Sequence, residues 1–376
     1  MSNHPSPKKL SSLLGESGAG YGLPLAIAGG IEYKQLLELL DPQPSSWALE
    51  VVYETGSTNA DLAARLKAAR RIPFDPHVRV AYSQTAGRGR RSRPWLATPG
   101  NALLFSISHL MPRTPDQLSG LSLALGATIV DGLRTLPLND VRRLLIKWPN
   151  DILLDGAKLA GVLVETVWNT CDATALVVGV GLNITSTDSL AQQIALSHKA
   201  FSTTSPLMPS ALSSAWPHAT LTPVLGAVLN ALAIGLERFG QYGFEPFLDT
   251  WIAVHAYIGQ EVLVLGQGGE VAQGIAYGID EKGRLLIRTP QEIRAITTGD
   301  VSLRLSQNIT TLSHPASDLF SYKAHINRLS TANASIVEQH APRLPICGAS
   351  APHPSVTVLP SPRALPVTRC AHEKDV

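Results

Sequence analysis

The spacing of apolar and polar residues changes along this chain, and the changes mark out its parts. From residue 47 short apolar runs alternate with helical stripes. Val51-Val52-Tyr53 reads as a strand, and Gly56-Ser57-Thr58-Asn59 supplies the cap of a helix carrying Leu62, Ala63, Leu66 and Ala69 on one stripe. Further strands are predicted at 78–82, 102–108, 144–148, 152–154, 159–167 and 176–184, with a helix over 118–133. Asp155-Gly156 is a tight-turn pair between two of these runs, so part of the sheet is expected to be antiparallel. Residues 190–222 are rich in Ser, Pro and Ala and read as a loop or loosely helical insertion. Two helices, 223–239 and 244–255, then cover one sheet face.

At residue 257 the texture switches to runs at 261–265, 271–279, 284–288, 292–297 and 301–305, separated by glycine turns. Short, closely spaced strands of this kind predict a small C-terminal β-barrel. The chain therefore divides into an N-terminal extension (1–45), mostly irregular around a helix-like patch at 31–40; a main domain (46–256); the β-domain (257–305); and a tail (306–376). The tail's proline- and serine-rich composition buries too little apolar surface to offset chain entropy, and it is expected to be disordered.

Composition narrows the classes. The chain's 376 residues leave room for two domains at about 150 residues each. A net charge of +2 gives no general affinity for polyanions, so nucleic-acid binding would need a local basic face. Cys171, Cys347 and Cys370 have no pairwise spacing that suggests a zinc site or a disulfide framework. With no apolar run of membrane-spanning length and no hydrophobic core for a secretory signal, a cytoplasmic protein is expected.

Four constellations carry chemistry. Ser57-Thr58-Asn59 opens a helix, where hydroxyls and free amides hold small polar ligands; a plain cap is the simpler reading of that motif alone. Gln84 to Trp95 packs Arg88, Arg90, Arg91 and Arg93 beside Gly87 and Gly89, which suits phosphate or carboxylate oxygens and a loop that orders over an anion. Lys147-Trp148-Pro149-Asn150-Asp151 puts an ammonium at a strand end, with oxygens at Asn150 and Asp151 that suit magnesium. Lys158 to Glu165 and Gly179 to Ile184 are strands with internal glycines, which mark close approach of a ligand or of neighbouring backbone. Signatures of P-loop nucleotide binding, serine hydrolases and zinc peptidases do not occur.

In this order, the constellations resemble the catalytic domain of biotin protein ligases, over residues 47–305. The resemblance implies an α+β fold, a mixed, largely antiparallel sheet backed by helices, plus the small C-terminal β-barrel. It implies that biotin and ATP, with Mg2+, form biotinyl-adenylate, and that a lysine of a biotin carboxyl carrier protein then attacks it. By resemblance, Ser57, Thr58, Asn59, Gln84, Gly87, Arg88 and Lys147 belong to the biotin site, with Gly161 and Gly181 as its floor. Lys147 would bridge carboxylate and phosphate oxygens, and Arg88, Arg90 and Arg91 would close over the adenylate. Arg90, Arg91, Arg93, Trp95, Asn150, Lys158 and Asn183 would serve the nucleotide, and Asp151 the magnesium.

Family members usually carry glycine where this chain has Ser92. A left-handed backbone there would be strained by about 1 kcal/mol. A lipoate or octanoate ligase is the neighbouring enzyme, but its RRxSGGG-like segment does not occur. A biotin-sensing repressor would need a winged helix, for which residues 1–45 are too short, so no DNA binding is expected. A binding protein that lost catalysis at Ser92 is a third reading, opposed by Lys147 and the arginines. A homodimer through the exposed sheet is a further expectation.

Overall fold

The computed structural model describes residues 30–69, 74–199, 207–266, 269–297 and 302–305. The expected disorder of the tail, and most of the N-terminal extension, lie outside the described residues. Helices α1 (Tyr33–Leu39) and α2 (Pro42–Ser45) precede β1 (Ala48–Thr55), α3 (Thr58–Ala69), β2 (His77–Gln84) and β3 (Ala102–Met111). Then come α4 (Leu121–Arg134), β4 (Leu144–Lys147), β5 (Asp151–Leu154), β6 (Ala157–Asn169) and β7 (Thr174–Asn183). Helices α5 (Asp188–Lys199), α6 (Leu221–Tyr242) and α7 (Leu248–Ala253) lead to β8 (Glu261–Gly266), β9 (Gly269–Ile279), β10 (Leu285–Arg288), β11 (Ile293–Ile296) and β12 (Ser302–Leu305).

Strands β1 to β7 form one sheet in the order β1-β2-β3-β7-β6-β5-β4. Only β1 and β2 pair in parallel, because α3 carries the chain back across the sheet between them; the other pairs are antiparallel. The expected hairpin is present, with Asp155 at φ 53° and Gly156 at φ 76°, the left-handed pair that a tight turn requires.

Period two along β7 sends side chains to opposite faces. Leu176, Val178, Val180 and Leu182 enter the main core with α4 and α6, while Ala175 and Val177 meet Leu62 and Leu66 of α3 on the other face. Each buried leucine contributes about 1.5–3 kcal/mol, so the long α6 stripe through Leu225, Val228, Leu232 and Leu236 is the main anchor of the helical layer. By length and composition α6 could cross a bilayer, but most of it is buried here, and it is a core helix. Helix α1 lies along it with Leu36 fully buried, and the Asn230 side chain both donates to Leu39 O and accepts from Asp41 N.

Two expectations change in detail. The 190–222 stretch, expected as a loop or loosely helical insertion, opens inside the regular helix α5 and later makes a 3-10 turn at Leu212–Ser214. The β-domain has its five strands where expected, but they form an antiparallel sheet in the order β11-β10-β9-β8-β12. Among the described residues no pairing joins β11 to β12, so the sheet is open and not a closed barrel. The sheet docks on the main domain through Trp148 Nε1, which donates to Gly283 O at 3.1 Å, and Ser119 Oγ, which donates to Lys282 O at 2.6 Å.

Candidate active site

The site is built on the sheet face that carries α3. Register places Ser106 of β3 and Leu163 of β6 on either side of Gly179, and Gly161 opposite Gly181. Over this patch the start of α3 sets three buried polar residues, Ser57, Thr58 and Asn59. Gln84 Oε1 accepts from Thr58 N at 2.8 Å and lies 3.1 Å from Thr58 Oγ1. Thr58 Oγ1 is 2.7 Å from Ser106 Oγ, Ser106 Oγ donates to Asn59 Oδ1 at 2.5 Å, and Asn59 Nδ2 donates to Glu165 Oε2 at 2.7 Å. Position 179 has to be glycine, because a Cβ there would collide with Asn59 Oδ1.

The arginine segment is a tight hairpin. Trp95 N donates to Gly87 O at 2.9 Å and Gly89 N to Arg93 O at 2.8 Å. At Gly87 a Cβ would lie 2.8 Å from Trp95 O, so this closure needs glycine. At the tip Arg91 (φ 61°) and Ser92 (φ 55°) are both left-handed, so the strain expected at Ser92 is present. The hairpin lays the Trp95 indole on Gly181, where a Cβ would clash with the ring, and beside Gly161. Lys158 Nζ sits 5.0 Å from the Trp95 ring centre, and Arg88 reaches Glu165 Oε1 at 3.8 Å.

Behind Trp95, Asp151 sits between two ammonium groups. Its Oδ1 is 2.7 Å from Lys158 Nζ and its Oδ2 is 3.6 Å from Lys147 Nζ. Burial pushes the Asp151 pKa up, but Lys158 and Lys147 together outweigh it and hold the group below the usual carboxylate range. Burial pushes Lys147 down to about 8 against the opposing pull of Asp151. The Lys147 side chain is 5% exposed and that of Lys158 is 30%. Both Asp151 oxygens thus face lysine ammonium groups, and magnesium, which needs only one or two carboxylates from protein, would have to share the group with them.

One cavity of about 610 Å³ gathers these parts. Its lining includes Ser57, Thr58, Asn59, Gln84, Arg88, Arg90, Arg91, Arg93, Trp95, Lys147, Asn150, Asp151, Lys158, Gly161 and Gly181. Gly87 and Asn183 support the wall from outside the lining. Asn183 Nδ2 donates to Lys158 O and Ser210 O at 3.3 and 3.0 Å, pinning the backbone under Lys158. Asn150 Nδ2 donates to Val162 O at 2.9 Å.

Sequence reasoning gave no role to three residues. Arg304 of β12 lines the cavity from the second sheet; its pKa is lowered by burial first and then by Arg93 nearby. Ser106 and Glu165 complete the polar chain under α3. Arg304 gives no local signal, whereas Ser106 interrupts the apolar run from Ala102 to Ile107 and was visible in principle.

Residues 55–183 match the biotin/lipoate A/B protein ligase family, and residues 257–304 match the biotin protein ligase C-terminal domain. A biotin–[acetyl-CoA-carboxylase] ligase of Mycobacterium tuberculosis is 32% identical over 72% of this chain and 95% of its own length. The chain belongs to the biotin protein ligase family. This ligase is also 31% identical to the Escherichia coli bifunctional ligase/repressor BirA, over 77% of this chain and 83% of that one. The Aquifex aeolicus biotin protein ligase, solved in complex with biotin and ATP, superposes with a TM-score of 0.52 at 28% identity, covering 69% of this chain and 99% of that one.

Proposed function

We propose that this ligase activates biotin with ATP and transfers it to one lysine of a biotin carboxyl carrier protein. A single observation carries the reading: the same cavity is lined by neutral hydrogen-bonding residues from α3 and β2 and by cations from the arginine hairpin, Lys147, Lys158 and Arg304. That pairing suits a neutral ureido head joined by an aliphatic chain to a carboxylate that must meet a phosphate.

In the first step a biotin carboxylate oxygen attacks the α-phosphorus, the bond from that phosphorus to the bridging oxygen breaks, and pyrophosphate leaves. Two anions approach each other, so the main task of the protein is to neutralise and position them. Lys158 suits the bridging role better than Lys147, because its ammonium is the more exposed to the cavity. Lys147 instead supports Asp151 from behind. Arg90, Arg91, Arg93 and Arg304 would take the phosphates, with Asn150 beside them, and Thr58 and Gln84 the ureido group, flanked by Ser57, Asn59 and Arg88. Trp95, resting on Gly161 and Gly181, would separate the two substrates' surroundings. In the second step the carrier amine attacks the acyl carbon, loses a proton and releases AMP, while the hairpin keeps water from the anhydride. Magnesium would enter with the phosphates.

The reading divides the chain into a catalytic unit (46–256) and the β-domain (257–305), and places the reaction in the cytoplasm with its ATP. It assigns no DNA binding: among the described residues ahead of β1 there are two short helices, α1 and α2, packed on α6. A sequence-dependent gel shift would contradict that assignment. A homodimer fits the open β1 edge, and monomer-only sedimentation with both ligands would count against it. The test of the whole reading is the mass of a biotin carboxyl carrier domain after incubation with enzyme, ATP and biotin. One biotinyl addition is expected, with none when lipoate replaces biotin; an unchanged mass with active carrier would overturn it.

A further inference from the structure

We propose that Glu165, acting through Asn59 and Ser106, is a positioning residue that fixes the hydrogen-bond polarity of Thr58 and so sets which ligand edge the biotin site accepts. The proposal rests on the ligase reading above. It follows from counting protons along a buried chain.

Glu165 Oε2 is 2.7 Å from Asn59 Nδ2, and its other oxygen faces Arg88. A carboxylate only accepts, so the Asn59 amide must turn its NH2 toward Glu165 and its oxygen toward Ser106. The Ser106 hydroxyl is fully buried and has one proton, and the 2.5 Å contact to Asn59 Oδ1 uses it. Ser106 Oγ also lies 2.7 Å from Thr58 Oγ1, a distance that two oxygens hold only with a proton between them. Ser106 has none left, so Thr58 must supply it, giving its proton to this 2.7 Å contact in preference to the longer 3.1 Å one to Gln84 Oε1.

Thr58 Oγ1 thus spends its proton inward and keeps only lone pairs for the cavity. Gln84 is oriented by the same logic. Its Oε1 is taken by Thr58 N, which leaves its NH2 as the donor. The wall therefore offers an acceptor at Thr58 and a donor at Gln84, the complement of a ring N–H beside a carbonyl. A ligand with oxygen in place of that N–H would face lone pair against lone pair. Glu165 touches no part of the ligand in this scheme.

The test is discrimination, which a merely structural role would leave unchanged. Dissociation constants are measured by calorimetry for biotin and for two analogues, each with one ureido N–H replaced by oxygen, on the full chain and on Glu165→Gln and Ser106→Ala. The wild type should reject at least one analogue by about tenfold or more. In Glu165→Gln the new amide can run the chain in either direction, and in Ser106→Ala the Thr58 proton is released. In both, the ratio for the rejected analogue should fall to within about threefold of unity.

A ratio that stays at the wild-type value in either folded variant overturns the proposal, and thermal melts show which variants are folded. If one variant fails to fold, the other decides. A wild type that binds biotin and both analogues equally also overturns it. A wild type that binds no biotin sinks the ligase reading itself, which separates the two failures.

Discussion

At one end of the cavity Thr58, Asn59 and Ser106 are buried, and each one's hydrogen-bond partner is fixed by the next. At the other end Arg90 and Arg91 stand on a hairpin closed by two backbone hydrogen bonds, with two left-handed non-glycine residues at its tip. The first region is a buried wall cross-linked by hydrogen bonds; the second carries charge on a strained, solvent-edge segment. The contrast follows from what each must recognise. A neutral ureido group is distinguished only by direction of donors and acceptors, which demands a rigid wall. Phosphates are held by charge, which tolerates a looser scaffold and benefits from one that closes late.

Substitutions at the two ends should therefore separate affinity from rate. The largest effect is expected for Lys158→Ala, which should slow adenylate formation by about a hundredfold or more while leaving biotin affinity within about threefold. Stopped-flow single turnovers and calorimetry on one preparation would measure both. A loss of affinity without loss of rate would reverse the assignment of the two ends.

Next, Gly179→Ala should push Asn59 out of the polar chain and weaken biotin binding by about tenfold to a hundredfold, as overpacking costs about 1–3 kcal/mol. ATP binding should not change. Equal losses for both substrates would show that the ordered wall and the cationic end are not separable.

Lys147 offers a pH test. Its pKa, about 8, lies below the ordinary lysine value. From about pH 8 to about 10.4 the unfolded chain holds a proton that the native state has lost, so this group's contribution to stability rises with pH across that window. Activity should move the other way. Adenylate formation should decline above pH 8 as the support behind Asp151 loses its charge, and Lys147→Arg should carry the decline to higher pH. Identical profiles for the two proteins would remove Lys147 from the charged cluster.

The smallest effect is expected at Ser92. Ser92→Gly should relieve about 1 kcal/mol of left-handed strain and favour the closed hairpin, seen as roughly fivefold slower release of the adenylate. Faster release would mean that the tip abandons this conformation when it closes.

Much of this was legible in the sequence. The strands of both sheets fall close to where apolar runs and glycine turns put them, because central strands such as β3 and β7 are buried on both faces and so read as nearly continuous apolar runs. The cap at Ser57 to Asn59, the arginine segment and the 147–151 segment could be read because each is contiguous. Arg304 could not, since only the docking of the open β-sheet brings it to the cavity 146 residues after Lys158. The different burial of Lys147 and Lys158 was equally hidden. Both are lysines in apolar strands, and burial separates them only once the sheet is assembled. The open sheet itself escaped because strand spacing reports how many strands there are, and closure depends on their length and stagger.

The most direct measurement is biotin-dependent exchange of labelled pyrophosphate into ATP, with lipoate as the control acid and Lys158→Ala beside the wild type. It isolates the activation step and needs no carrier. The account predicts exchange with biotin, none with lipoate, and near-complete loss in the lysine variant. Exchange that is undiminished in Lys158→Ala, or that proceeds equally with lipoate, would contradict it.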